Sequence, residues 1–202
     1  MKFRLSILII LLTVLGEQST AQSKSATMEI ATIGGGCFWC TEAIYKELKG
    51  VVSVTSGYSG GEIVNPSYRE VCTGRTGHAE VIEIEFDPAV ISFSELLEVF
   101  FASHDPTTLN RQGGDVGTQY RSVIFYHSQK QKETAESIID KLNEENVYEK
   151  PVVTEVTAWK NFFAAEDYHQ DYFENNPSQS YCQIVIVPKM EKFRKIFSER
   201  LK

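Results

Sequence analysis

The feature that most constrains this chain is a run of three glycines between two segments of different periodicity. Met28 to Ile33 is a short apolar run of strand character, and Thr41 to Leu48 has helical spacing. Between them stands Gly34-Gly35-Gly36-Cys37-Phe38-Trp39-Cys40. A strand that turns straight into a helix needs backbone freedom at the corner, which glycine supplies. Cys37 then falls at the helix start, where unpaired N–H groups and the positive end of the helix dipole predict a stabilised thiolate. Two large aromatics follow where a polar first turn is the ordinary expectation. The stretch predicts a nucleophilic thiol with an apolar wall beside it.

Cysteine usage agrees. Four cysteines could make two structural disulfides, but 202 residues at 42 % hydrophobic composition can bury a core without staples. Cys37 and Cys40 form a C-x-x-C, whereas Cys72 and Cys182 stand alone, a pattern that favours redox chemistry.

The first residues predict export. Lys2 and Arg4 precede the apolar run Leu5 to Leu15, and Ser19-x-Ala21 offers small residues for cleavage. That run of about 11 residues is well short of the roughly 20 that a spanning helix needs. Residues 1–21 therefore read as a signal peptide, 22–27 as a polar linker and 28–202 as one domain. The mature protein is expected in a periplasm or secreted, without stable membrane association, and as a monomer. A formal net charge of −7, spread along the chain, argues against a nucleic-acid partner. The basic end, Lys189 to Lys202, interleaves Met190, Phe193, Ile196 and Phe197 at helical spacing and predicts an amphipathic helix packed on the domain.

Strand patterns fall at Met28–Ile33, Val51–Ser56, Ala79–Phe86, Tyr120–His127, Val152–Val156 and, more weakly, Gln183–Val187. Helical patterns fall at Thr41–Leu48, Phe93–Ala102, Gln129–Glu145, Ala164–Asn175 and the C-terminal segment. Interleaved in this way they predict an α/β or α+β two-layer sandwich, a mixed sheet covered by helices. Ser92-x-x-Glu95 is a capping-box pattern for the second helix. The glycine-rich loop from Ser103 to Gln119 is long enough to suggest function.

Alternation in Ala79–Phe86 puts Ile82, Ile84 and Phe86 on one face, and by the same parity Glu80 at the edge of that apolar face. A carboxyl group there is desolvated, so its pKa should rise and it could serve as a neutral acid; the bland alternative is an edge glutamate that reaches water. His78 reads as a rim or turn histidine, and His169 as a packing histidine.

Further blocks accompany the cysteine motif: Gly57-Tyr58-Ser59-Gly60-Gly61, Asn65-Pro66-Ser67-Tyr68 and Thr76-Gly77-His78-Ala79-Glu80. Asp115-Val116-Gly117-Thr118-Gln119-Tyr120-Arg121 and Ala165-Glu166-Asp167-Tyr168-His169-Gln170-Asp171-Tyr172 follow. With Gly35-Gly36-Cys37-Phe38-Trp39, and in this order across roughly residues 28 to 188, the chain resembles the type A peptide methionine sulfoxide reductases. The resemblance implies a ferredoxin-like α+β sandwich with an irregular C-terminal tail. It implies Cys37 as nucleophile, Phe38 and Trp39 as the cradle of the substrate methyl group, and Glu80 as the acid. Tyr68 and Tyr120 would be hydroxyl partners of that acid, and Asp115 a carboxylate that orders the polar side. It further implies the S epimer of methionine sulfoxide, free or in peptides, as substrate, a thioredoxin-like reductant, and no cofactor or metal.

Attack of a thiolate on a sulfoxide sulfur needs a proton for the departing oxygen, which a neutral carboxyl and tyrosine hydroxyls can supply. The resulting sulfenic acid needs a second thiol. Cys40, Cys182 and Cys72 remain candidates, and Cys40 inherits no role because the commoner family pattern has glycine there. Two rival readings compete: a general exported thiol–disulfide oxidoreductase using Cys37 and Cys40, and a structural zinc site built from the four cysteines.

Overall fold

The computed structural model describes residues 27–202; the signal-peptide assignment and all but the last residue of the linker lie outside them. Strand β1 (Glu29–Gly34) runs into the glycine corner and helix α1 (Phe38–Lys46), and β2 (Val51–Ser59) follows. After the short α2 (Tyr68–Val71) come β3 (Ala79–Phe86) and α3 (Phe93–Ser103). The loop beyond α3 carries a small hairpin, β4 (Arg111–Gln112) and β5 (Asp115–Val116). Then come β6 (Val123–Tyr126), α4 (Gln129–Glu144), β7 (Glu155–Ala158) and β8 (Phe163–Ala164). The tail contains α5 (Tyr172–Asn175) and α6 (Val187–Ile196).

Six strands form one mixed sheet in the order β7-β6-β1-β3-β2-β8, antiparallel throughout except for the β6–β7 pair. Strands β6-β1-β3-β2 with α1 and α3 make the ferredoxin-like unit, so the expected α+β fold is present. The parity of β3 holds. Ile82, Ile84 and Phe86 join the main core with Ala31, Ile33, Ile44, Leu96 and Phe100, whereas Ala79 and Val81 pack with Val123 and Phe125 on the opposite face. The capping box forms as well: Ser92 Oγ accepts from Glu95 N–H at 3.2 Å and Ser92 N–H donates to Glu95 Oε2 at 2.8 Å.

Two expected elements are corrected. Gln183–Val187 is helical, a wide π-helical run over Cys182–Ile186 that continues into α6. Its alternating branched residues imitate a strand, but Ile184 is 74 % exposed while Ile186 is buried. Pro188 also lacks the N–H that an α-helical ladder would need at that point. Ala164–Asn175 is not one helix. Its start pairs as β8 on the sheet edge, residues 167–169 make a single 3-10 turn, and Asp171 sits at φ 53° in the left-handed region. Long-range bonds override helical propensity there: the Gln170 amide accepts from Ser56 N–H and donates to Ser56 C=O, both at 3.0 Å.

Candidate active site

Each of the three corner glycines answers a steric demand. A side chain at Gly34 would stand 2.5 Å from the Glu80 carbonyl oxygen, and one at Gly35 about 3.0 Å from Phe100. Gly36 has φ +92° and is covered by Gln112 of β4. Cys37 emerges as the N-cap of α1, in extended conformation and 9 % exposed. The carboxyl of Glu80 reaches the same helix start from β3, and Phe38 N–H donates to its Oε2 at 3.1 Å. The other oxygen, Oε1, is buried without a partner. Burial raises the Glu80 pKa to about 8, against the pull of the Phe38 N–H, with Asp115 and Cys40 adding to the rise. A carboxyl raised that far keeps its proton at neutral pH, and it lies buried at the edge of the apolar face of β3.

Cys37 departs from expectation. The first N–H of the helix is taken by Glu80, and Cys37 makes no side-chain capping bond. Burial, then donation to Cys40 and the Glu80 charge, push its thiol well above the usual range. Accepting from Cys37 brings Cys40 down to about 7, against its own burial. One hydrogen bond between the two sulfurs thus raises Cys37 and lowers Cys40.

Aromatic residues close the site. Phe38 is buried beneath Tyr68, Tyr58 and His169, with ring centroids 5.1–6.4 Å away, whereas Trp39 is half-buried and forms the accessible wall. Trp39 stacks face to face on Tyr172 at 3.6 Å and 4°, and its Nε1–H donates to His169 Nδ1 at 3.0 Å. That bond leaves the remaining hydrogen of a neutral His169 on Nε2, and burial holds the ring's pKa down. Tyr68 opens α2, capped by Ser67, with its backbone N–H on Glu166 Oε1 at 2.9 Å. Tyr120 ends the 3-10 turn after β5. Burial raises both phenols, and for Tyr68 a hydrogen bond to Cys72 adds to the rise. Asp115 of β5 accepts from Tyr181 O–H at 2.7 Å.

The structure thus brings together Cys37, Cys40, Glu80, Phe38, Trp39, Tyr68, Tyr120 and Asp115. Cys182 is fully buried behind Tyr181, and Cys72 is exposed at the end of α2. His78 is a turn residue as expected: its Nδ1 accepts from Gly61 N–H at 3.1 Å, and its Nε2 lies 2.8 Å from the Ile63 carbonyl. Among the described residues no group of three or more His, Cys, Asp or Glu is placed to hold a metal ion.

Sequence reasoning missed Tyr181 and Glu166. Tyr181 lies with its hydroxyl 3.9 Å from Cys40 Sγ and its ring edge-on to Trp39. Glu166 ties Tyr58 O–H and Tyr68 N–H to the tail. The signal for Tyr181 was its place next to Cys182; the path of the tail that carries it over α1 is not written in local sequence.

A buried thiol pair at a helix start, facing a protonated carboxyl and an aromatic wall, defines an oxidoreductase that works by thiol chemistry. The family model for peptide methionine sulfoxide reductase matches residues 29–201. The peptide methionine sulfoxide reductase MsrA of Haloquadratum walsbyi is 60 % identical over 173 residues, which are 86 % of this chain and 98 % of that protein. Mxr1 from Saccharomyces cerevisiae in its reduced form superposes with a TM-score of 0.73 at 38 % identity, over 81 % of this chain and 94 % of that one. Mxr1 in complex with Trx2 superposes at 0.53 and 29 % identity, over 76 % and 91 %. The chain belongs to the peptide methionine sulfoxide reductase family, oxidoreductases that reduce methionine sulfoxide in peptides.

Proposed function

We propose that the protein reduces methionine S-sulfoxide to methionine through Cys37, with Glu80 as the proton donor. The observation that carries this reading is the free Glu80 Oε1, buried on a carboxyl whose pKa is about 8, beside the Cys37 thiol. The sulfoxide oxygen accepts from Glu80, with the Tyr68 and Tyr120 hydroxyls as further donors, while the substrate methyl group lies against Trp39 and Phe38. The Cys37 proton passes to Cys40, and the Cys37 sulfur attacks the sulfoxide sulfur. Glu80 gives its proton to the oxygen, and the oxygen passes from the substrate sulfur to the Cys37 sulfur as the substrate's sulfur–oxygen bond breaks. The bond between the two sulfurs breaks with its electron pair on the departing methionine, and Cys37 is left as a sulfenic acid. The Cys40 thiol then gives up its proton to the hydroxyl on Cys37 and its sulfur attacks the Cys37 sulfur, so that a disulfide forms and the hydroxyl departs as water. An external dithiol restores the pair.

Cys40 is the resolving thiol in this reading. Its contact with Cys37 and its pKa of about 7 support it, whereas Cys182 is buried with its thiol pushed up by desolvation. The solved complex of Mxr1 with Trx2 supports a thioredoxin-type reductant. The leader features of residues 1–21 support export and cleavage, and the protein acts as a monomer in this account.

The test is steady-state turnover of separated S and R epimers with a thioredoxin-type donor. The reading expects S-epimer activity that Cys37→Ser abolishes, that Cys40→Ser loses in recycling, and that Cys182→Ser keeps. Turnover of neither epimer by the wild type rejects it, and full recycling by Cys40→Ser rejects the choice of resolving thiol.

A further inference from the structure

Helix α1 presents Trp39, Glu42 and Lys46 along one stripe, at spacings of three and four residues, and all three meet the tail. Glu42 is 1 % exposed, a rare burial for a carboxyl group. Its Oε1 accepts from Asp171 N–H at 3.1 Å, and the Tyr172 N–H is directed at the same carboxyl. Lys46 brackets the corner from outside, paired with Asp171 and, at 2.8 Å, with Glu174. Asp171 is held there in the left-handed region, φ 53°, a conformation uncommon for a non-glycine residue though more accessible to aspartate than to most. The next residue is Tyr172, whose ring lies 3.6 Å from that of Trp39 and parallel to it.

We propose that Glu42 is a positioning residue for substrate binding: it pins the backbone at Asp171 and so sets Tyr172 against Trp39. The groups that face the Glu42 carboxyl are Asp171, Tyr172 and Lys46, none of them a thiol or the Glu80 acid. Its effect reaches the substrate only through the orientation of the Trp39 wall. Three contacts fix that indole, the Tyr172 stack, the His169 hydrogen bond and the edge of Tyr181, and two of them hang on the tail segment that Glu42 anchors. The carboxyl group is needed because it offers an acceptor to a left-handed corner that has no helical or sheet partner of its own. Burial lifts the Glu42 pKa to about 7, and either protonation state keeps an acceptor oxygen for the amide. The inference rests on the proposed role of Trp39 as the wall for the substrate methyl group.

The experiment uses a Trp159→Phe background, which leaves Trp39 as the sole tryptophan of the chain. Glu42→Met removes the acceptor but keeps side-chain volume in the buried site. It is expected to raise KM for methionine sulfoxide about three- to tenfold, the size of a lost aromatic contact, with kcat within about twofold. Trp39 emission should change in parallel, and Glu42→Gln should restore both. Tyr172→Leu should raise KM similarly, and adding Glu42→Met to it should cost nothing more, because the second residue acts through the first. Wild-type KM and emission in Glu42→Met overturn the proposal, as does a multiplied effect in the double variant. Amide exchange in the wild-type protein decides the matter even where Glu42→Met does not fold: protection at Asp171 supports the anchor, and exchange as fast as exposed tail amides overturns it. Emission and exchange need no substrate, so a wild type without turnover rejects the proposed reaction and leaves the Glu42 claim separately judged.

Discussion

Glu80 shows at the scale of one residue how function and stability oppose each other. Its carboxyl is neutral at pH 7 because burial penalises the charge, and the same burial costs the folded state whatever the unfolded chain gains by ionising. The folded pKa of about 8 lies above the unfolded value of 4.5, so the folded protein binds the extra proton between those limits. Stability from this group is full below pH 4.5, falls as pH rises toward 8, and is level above. Glu80→Gln should therefore gain on the wild type by up to about 1.4 kcal/mol per pH unit across that window, read from unfolding curves at several pH values. A difference that does not change with pH would refute the assigned titration. The same substitution should lower kcat/KM by about 10²- to 10⁴-fold and remove the alkaline limb near pH 8. Residues of this kind were partly legible in sequence. Strand parity placed Glu80 on the apolar face, and motif resemblance supplied Tyr68, Tyr120 and Asp115. The raised Cys37 thiol was not legible, because it depends first on burial and then on donation to Cys40, with Glu80 of a distant strand adding to both, and the packing that buries it is not written in local sequence.

At the scale of elements, the corner between β1 and α1 carries the chemistry and the caps carry only stability. Ser92→Ala removes a satisfied cap far from the thiols; it should cost about 1 kcal/mol and lower Tm by about 2–4 °C with turnover unchanged. Gly36→Ala strains a φ of +92° and meets Gln112, so it should lower Tm at least as much and also reduce kcat/KM by displacing Cys37. Thermal melts run beside activity assays separate the two, and equal loss of activity in both variants would contradict this division. Elements with a strong period and local boundary chemistry were legible: β3 matches residue for residue, and α3 and α4 differ by one residue at their ends. The tail was not. Gln170 bonding Ser56, Glu166 bonding Tyr58 and Glu42 bonding Asp171 are contacts between distant segments, and no window of local sequence contains both partners.

At the scale of the whole molecule, the ferredoxin-like sheet supplies a rigid frame and the tail wraps α1 to complete the site. The frame delivers Cys37 and Glu80; the hairpin of β4 and β5 brings Asp115, and the tail brings His169, Tyr172 and Tyr181. The proposed export adds a prediction at this scale: the mature chain begins at Gln22 in an extracytoplasmic fraction, read by intact mass. A cytoplasmic protein that retains residues 1–21 would refute it. The central claim is the Cys37 reaction, and a single turnover tests it most directly. Fully reduced protein is mixed with excess methionine S-sulfoxide without any external reductant, and methionine and remaining thiols are counted. The account predicts one methionine per chain, the loss of two thiols, and a Cys37–Cys40 disulfide by peptide mapping. Methionine formed by Cys37→Ser under the same conditions would contradict it.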